Sequence, residues 1–266
     1  MNRRYVLGAI GSLTSIGTLA YATRDPVEAI EVRVWLSDRA AEYDAVETRV
    51  LEYVNRLLDF EFWTVDASFG GVVSVSTEDG AVVSTSGEWP LAVTSGTIGS
   101  SDLDPATDVN LLVTDGQMKY APTGYGFPHV ASVGGARYLG SLEPFDELVG
   151  SGPDGAVKRR IVPLTSSTRT MQVLLHEVGH ALGLHHDHGV AFRYGDAVVA
   201  TPMISTYAFD PDYEVDRSRC GTSYPDTSGR ERKLSLAFSN CARRELSSYS
   251  GGLRLRRGDE ESGFEW

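Results

Sequence analysis

The chain has 266 residues, 41% of them hydrophobic, which is enough for a sizeable buried core and excludes wholesale disorder. Asp and Glu number 36 against 24 Lys and Arg, a formal net charge of −12. An acidic field repels nucleic-acid phosphates and anionic lipid, so neither is an expected partner.

The first 22 residues read as an export segment and not as part of the fold. Asn2-Arg3-Arg4-Tyr5 is basic, an uncharged and largely apolar run follows to Ala22, and Ala20-Tyr21-Ala22 has the small-x-small pattern of a cleavage site. The paired arginines resemble a twin-arginine signal. The run is near the lower length limit of a membrane span, so an uncleaved anchor is the alternative, and the only expected membrane contact. Its frequent Gly, Ser and Thr favour a removed signal and a secreted or cell-surface protein. Only Lys119, Lys158 and Lys233 are lysines. Acidic, lysine-poor chains resemble proteins of salt-loving microbes, the alternative being an ordinary acidic protein.

Ile30 to Leu36 alternates in the period of a half-buried strand. Ser37 is placed to cap a helix over Asp38 to Asp59, where Tyr43, Val46, Val50, Val54 and Leu57 recur at helical intervals. Val72 to Ser76 and Ala81 to Thr85 flank Thr77-Glu78-Asp79-Gly80 and read as a hairpin. Val109 to Val113 reads as a buried strand, and Val130 to Leu139 as another, interrupted by Gly134-Gly135. Residues 140 to 164 read as a loop ending in Lys158-Arg159-Arg160, a solvated trio or, less simply, a processing site. A helix is predicted from Ser167 to Leu182, an irregular stretch beyond Gly189, and a last helix from Glu231 to Tyr249. Residues 251–266 read as a flexible tail. Nothing divides residues 23–250 into two domains. Cys220 and Cys241 read as a disulfide closing a loop of about twenty residues, worth about 3 kcal/mol, the alternative being two unrelated buried thiols.

The strongest chemical signal is His176-Glu177-Val178-Gly179-His180-Ala181-Leu182-Gly183-Leu184-His185-His186. Helix positions four apart have Cβ atoms about 5–6 Å apart, so His176 and His180 can reach one ion. Glu177 lies about 100° around the helix, placed to act on water at the metal without being a ligand. Met171, Leu174, Val178 and Ala181 share the opposite face, which turns to the core. Gly183 stands where the helix ends and tolerates the left-handed turn that would return His186 as third ligand. Three imidazoles leave one zinc position open for water, the arrangement of a catalytic site. Glu177 is the general base expected for peptide hydrolysis without a covalent intermediate.

These residues resemble the metzincins, whose pattern is H-E-x-x-H-x-x-G-x-x-H followed by a methionine turn. Asp187 after the third histidine is similar to matrixin-like and adamalysin-like members, and Thr201-Pro202-Met203-Ile204-Ser205 resembles the Met-turn. Phe238-Ser239-Asn240-Cys241 looks like the start of the adamalysin-like C-terminal helix, which implies a bonded Cys241. The resemblance covers about residues 28 to 250. It implies an α+β zincin-like domain with a twisted mixed sheet, an active-site helix and a smaller irregular C-terminal part. It further implies zinc, a protein or peptide substrate, and Met203 as an apolar floor. Substrate would pair with an edge strand, for which Val130 to Leu139 is the candidate. Where some metzincins carry a tyrosine near the metal this chain has Ser205, with Tyr207 two residues on. A secreted zinc-binding adhesion module without turnover is the alternative, against which an intact Glu177 argues.

The remaining histidines draw blander expectations: His185 adjacent or exposed, His188 solvent-exposed or at the cleft rim, His129 structural. The clusters Asp102 to Asp108 and Asp210 to Asp216 have the oxygen density for calcium, though neither fits an EF-hand. Oligomeric state has no signature in the chain.

Overall fold

The alternating run near the N-terminus forms strand β1 (Ala29–Ser37), with Ile30, Val32 and Val34 fully buried. The structure is a computed structural model and describes residues 26–116, 123–150, 153–204, 209, 220 and 225–252. Segment 1–22, Ser205, Tyr207 and the Asp210 to Asp216 cluster lie outside the described residues.

Ser37 does act as a cap, its Oγ accepting the Ala40 amide at 3.1 Å, but it caps a short 3-10 turn, Ala40–Glu42. The regular helix α1 starts later, at Val46–Leu58, and buries Val50, Tyr53, Val54 and Leu57 on one face. Strand β2 (Thr64–Val73) follows and pairs in parallel with β1. Their register shifts between Val34 and Trp35, leaving Gly70 without a partner. The Trp35 indole explains the glycine: a Cβ at Gly70 would lie 2.5 Å from its Cε2.

The predicted hairpin after β2 is not formed. Asp79 caps a helix instead, accepting the amides of Ala81 and Val82 at 3.0 and 3.1 Å, and α2 (Gly80–Thr85) begins there. An Asp ahead of a helix relieves the unpaired first-turn amides, and here that outweighs its turn-forming tendency. Helix α3 (Glu88–Thr97) leads to β3 (Val109–Val113), which pairs in parallel with β1. Strands β4 (Gly124–Phe127) and β5 (Val130–Val133) complete a five-stranded sheet of order β2-β1-β3-β5-β4, with β4 alone antiparallel. Side chains alternate across it. Val32, Leu111 and Ala131 join the core that holds α1, while Trp35, Leu112 and Val130 meet Trp89 on the other face.

The predicted strand to Leu139 ends at Val133, because Gly135 takes φ 85° and starts α4 (Ala136–Gly140). The predicted loop contains α5 (Phe145–Gly150), α6 (Asp154–Lys158) and strand β6 (Ile161–Pro163). Nor is the basic trio simply solvated. The Arg159 guanidinium stacks 5.3 Å over Phe192, that of Arg160 lies 5.8 Å over Phe145, and both carbonyls accept hydrogen bonds from Ser235 or Leu236. A backbone engaged in this way is a poor processing site.

Helix α7 (Ser166–Ala181) matches its expectation closely. Just beyond Gly189, where irregularity was expected, the described residues form two strands. β7 (Ala191–Tyr194) and β8 (Ala197–Ala200) form a hairpin across Gly195 at φ 57°. The predicted last helix is split into strand β9 (Glu231–Ser235) and helix α8 (Asn240–Leu246), the latter capped by Ser239. A second sheet of order β6-β9-β8-β7 results, making the chain a mixed α+β structure. Gln172 of α7 ties this sheet to the helix, its Nε2 donating to Ala200 O and Ser235 O at 2.8 Å each. Gly251 and Gly252, the first residues of the segment read as a tail, are buried, and the Gly252 amide donates to Asp108 at 2.9 Å.

Two features make testable contributions. Cys220 and Cys241 form a disulfide with Cα atoms 5.7 Å apart and a sequence separation of 21. Replacing both by serine is expected to cost about 3 kcal/mol in denaturant unfolding under non-reducing conditions. The second is Asp115, buried beyond β3, which accepts hydrogen bonds from Arg137 Nε at 3.0 Å and Tyr43 Oη at 3.1 Å. Burial alone would raise this carboxyl, but the bonds from Arg137 and Tyr43 hold it below its usual range. A depressed folded pKa stabilises the fold above the unfolded value, near about 3.9, and the contribution is lost as pH falls through the folded value. In Arg137→Met burial is less opposed, so the acid-unfolding midpoint is expected at higher pH, read by tryptophan fluorescence.

Candidate metal centre

Helix α7 opens on a reciprocal cap, with Thr165 and Thr168 bonding to each other's backbone amides at 3.0 and 3.2 Å. Its apolar face, including Met171, Leu174, Val178 and Ala181, is fully buried. His176 is buried and His180 half-buried on the facing turns, and His186 is exposed on a 3-10 turn, His186–His188. Between them the helix ends on Gly183 at φ 89°. The Leu184 amide donates to Gly179 O at 2.8 Å and the Gly183 amide to His180 O at 3.0 Å, a Schellman closure.

The three imidazoles meet at their Nε2 atoms. His180 Nε2 stands 3.0 Å and His186 Nε2 3.1 Å from His176 Nε2. Each of the two helical histidines also has Nδ1 2.8 Å from a carbonyl, Pro202 O for His176 and Leu184 O for His180. A carbonyl only accepts, so each Nδ1 carries the proton and each neutral ring turns a lone pair inward from Nε2. Protonation does not relieve the crowding. Burial and the neighbouring imidazoles push His176 down to about 3, burial chiefly pushes His180 down to about 4, and local desolvation at the site together with His185 lowers His186, although the residue as a whole is exposed. Two inward lone pairs and the His186 Nε2, all within 4.8 Å of one another, are a donor set for a cation.

Glu177 is buried, and desolvation pushes its carboxyl up to about 8. A cation nearby acts in the opposite direction. Strand β4 covers it. A Cβ at Gly124 would lie 2.6 Å from Glu177 Oε1, and one at Gly126 would fall on the Glu177 carbonyl and 2.9 Å from His180 Cβ. These glycines were not singled out from the sequence, although alternate glycines in a short strand signal another backbone close to one face. Met203 is buried with its Sδ against Gly179, beneath the helix that bears His176 and His180.

The other candidates separate cleanly. His185 is exposed. His188 is only 2% exposed, contrary to expectation, because α8 packs over it. His129 is structural, with φ 70° and Nδ1 3.1 Å from Asp108 O. Asp108 gives no support to calcium: its oxygens accept from the Glu31 amide, the Tyr249 hydroxyl and the Gly252 amide at 2.9 to 3.0 Å.

No protein-family model and no curated protein matches the chain. Among solved structures, archaemetzincin from Methanopyrus kandleri aligns over 83% of this chain and 96% of its own, with 15% identity and a TM-score of 0.38. A chaperone–substrate complex aligns over 85% of this chain and 35% of that chain, with 10% identity and a TM-score of 0.34. The chemistry rests on the residues themselves. Among the described residues, no helix is long and apolar enough to cross a membrane.

Proposed function

We propose that the protein is an exported zinc-dependent endopeptidase of the metzincin kind, in which His176, His180 and His186 hold the ion and Glu177 is the general base. The observation that carries this reading is the convergence of three imidazole Nε2 atoms, two of them on rings oriented by carbonyls that accept from Nδ1. Imidazoles oriented by an acceptor on the far nitrogen are the usual ligands of a catalytic zinc.

When bound, zinc supplies the Lewis acidity that makes water acidic near neutral pH and polarises a carbonyl. The chain's own residues do the rest. Glu177, next to His176 and screened from bulk water, takes the proton of the attacking water and passes it to the leaving amine. Pro202 O and Leu184 O keep the two helical imidazoles in the tautomer that binds. Met203 fills the space under Gly179 and fixes the height of the Pro202 carbonyl.

Substrate pairing belongs to β4 and not to the predicted Val130 to Leu139. Among the described residues β5 is internal, flanked by β3 and β4, whereas β4 is an edge of the sheet beside α7. Main-chain pairing along Gly124–Phe127 would bring an extended peptide across Glu177 and His180. Asp187 and the Met203 segment favour a matrixin-like or adamalysin-like assignment.

The test is metal content by mass spectrometry, with cleavage of casein and a peptide library with and without chelator. One zinc per chain and chelator-sensitive cleavage are expected. A folded, zinc-loaded protein that cleaves nothing, with Glu177→Ala behaving identically, sinks the peptidase reading and leaves a binding module.

A further inference from the structure

His186 differs from the two helical histidines in how it is held. It lies outside α7, on a three-residue turn and exposed as a residue, so its position is that of the turn. Such a turn has little stability of its own. What closes it is the side chain of His188. Its Nδ1 accepts the amide of His185 at 2.9 Å, spanning His186 from one side to the other. The backbone bonds His188 N to His185 O and Gly189 N to His186 O, at 3.0 and 2.9 Å, run along the same turn.

The closed turn is then fastened from both sides. The His188 carbonyl accepts from Ser239 Oγ at 2.7 Å, and Cys220 Sγ of the disulfide lies 3.6 Å from it. The His188 ring is buried with Nε2 3.9 Å from Glu245 Oε2 of α8. Gly189 also presses on the Met203–Ile204 peptide, where a Cβ would lie 2.5 Å from the Ile204 nitrogen. An acceptor at Nδ1 puts the ring proton on Nε2, which is buried beyond hydrogen-bond reach of Glu245, so the hold on α8 is the Ser239 bond to the His188 carbonyl.

We infer that His188 is a positioning residue for the third ligand, closing the turn that delivers His186 and anchoring it to α8. This rests on the zinc reading above, and the measurements separate the two. Zinc affinity is read by competition with a chromophoric chelator, and ligand geometry by the visible spectrum of the cobalt-substituted full chain. His188→Leu keeps the bulk but removes the acceptor, and is expected to weaken zinc binding about 10–100-fold, the usual loss when a ligand's support is removed. His188→Asn restores an acceptor near the Nδ1 position and is expected to stay within about threefold of wild type. In a His186→Ala background, His188→Leu is expected to change nothing further.

Unchanged affinity in folded His188→Leu, no rescue by His188→Asn, or an equal loss in the His186→Ala background each overturns the proposal. Should His188→Leu fail to fold, Ser239→Ala carries the same comparison. It unties the His188 carbonyl and is expected to weaken zinc binding in the wild-type background only. If the wild-type chain itself binds no zinc, the metal reading fails and this inference with it.

Discussion

Glu177→Gln is expected to hold zinc as tightly as the wild type while losing about 10²–10⁴-fold in kcat, the range contributed by a positioned general base. Two features make the separation clean. Glu177 is not among the converging donors, so removing its charge leaves the three Nε2 atoms in place. Gln also matches Glu in volume, so the close contact with Gly124 survives and the strand above the site does not move. Glu177→Ala is a less informative change, because it leaves a void under β4 as well as removing the base. The comparison requires zinc affinity by chelator competition beside peptide hydrolysis on the same preparation. A Gln variant that keeps full kcat would place the base elsewhere. One that loses both zinc and activity would make Glu177 a contributor to metal binding.

How much of this site could be read from the chain depends on where each residue's partners lie. α7 was legible nearly to the residue because its buried face repeats at helical intervals and Gly183 marks its end. β1 and β3 were legible because apolar side chains dominate them. β2, β4, β8 and β9 were not. They are short or half-buried, and β2 and β4 carry glycines whose reason is a neighbour distant in sequence: the Trp35 ring over Gly70, and α7 beneath Gly124 and Gly126. His188 shows the same limit in one side chain. Its own neighbours suggest an exposed histidine, and it is buried only because α8, some fifty residues later, packs against the turn. Helix geometry alone singled out His176, Glu177 and His180, whereas the choice of His186 over His185 needed the family spacing. In the fold the Schellman closure and the His185–His188 bond supply a physical reason for that choice.

The glycines around α7 allow a sharper test of what locates the helix. Gly126→Ala puts a methyl group onto the main-chain carbonyl of Glu177 and 2.9 Å from His180 Cβ. Neither neighbour can rotate away, because one is helix backbone and the other is fixed to it. β4 and α7 must therefore separate at the base and the second ligand together. A cost of about 3 kcal/mol is expected, the upper part of the usual range for overpacking, with weakened zinc binding. Gly179→Ala meets the Met203 thioether instead, and that is the end of a flexible side chain. Phe238 at 3.2 Å and Leu184 at 3.4 Å limit its retreat. Against this, alanine in a helix interior gains up to about 1 kcal/mol over glycine. The net change for Gly179→Ala is thus expected to be small, about 1 kcal/mol or less, and the order of the two variants in urea unfolding is the quantity to measure. If Gly179→Ala proves the more damaging, the helix is located by the floor under Met203 and not by the strand above it.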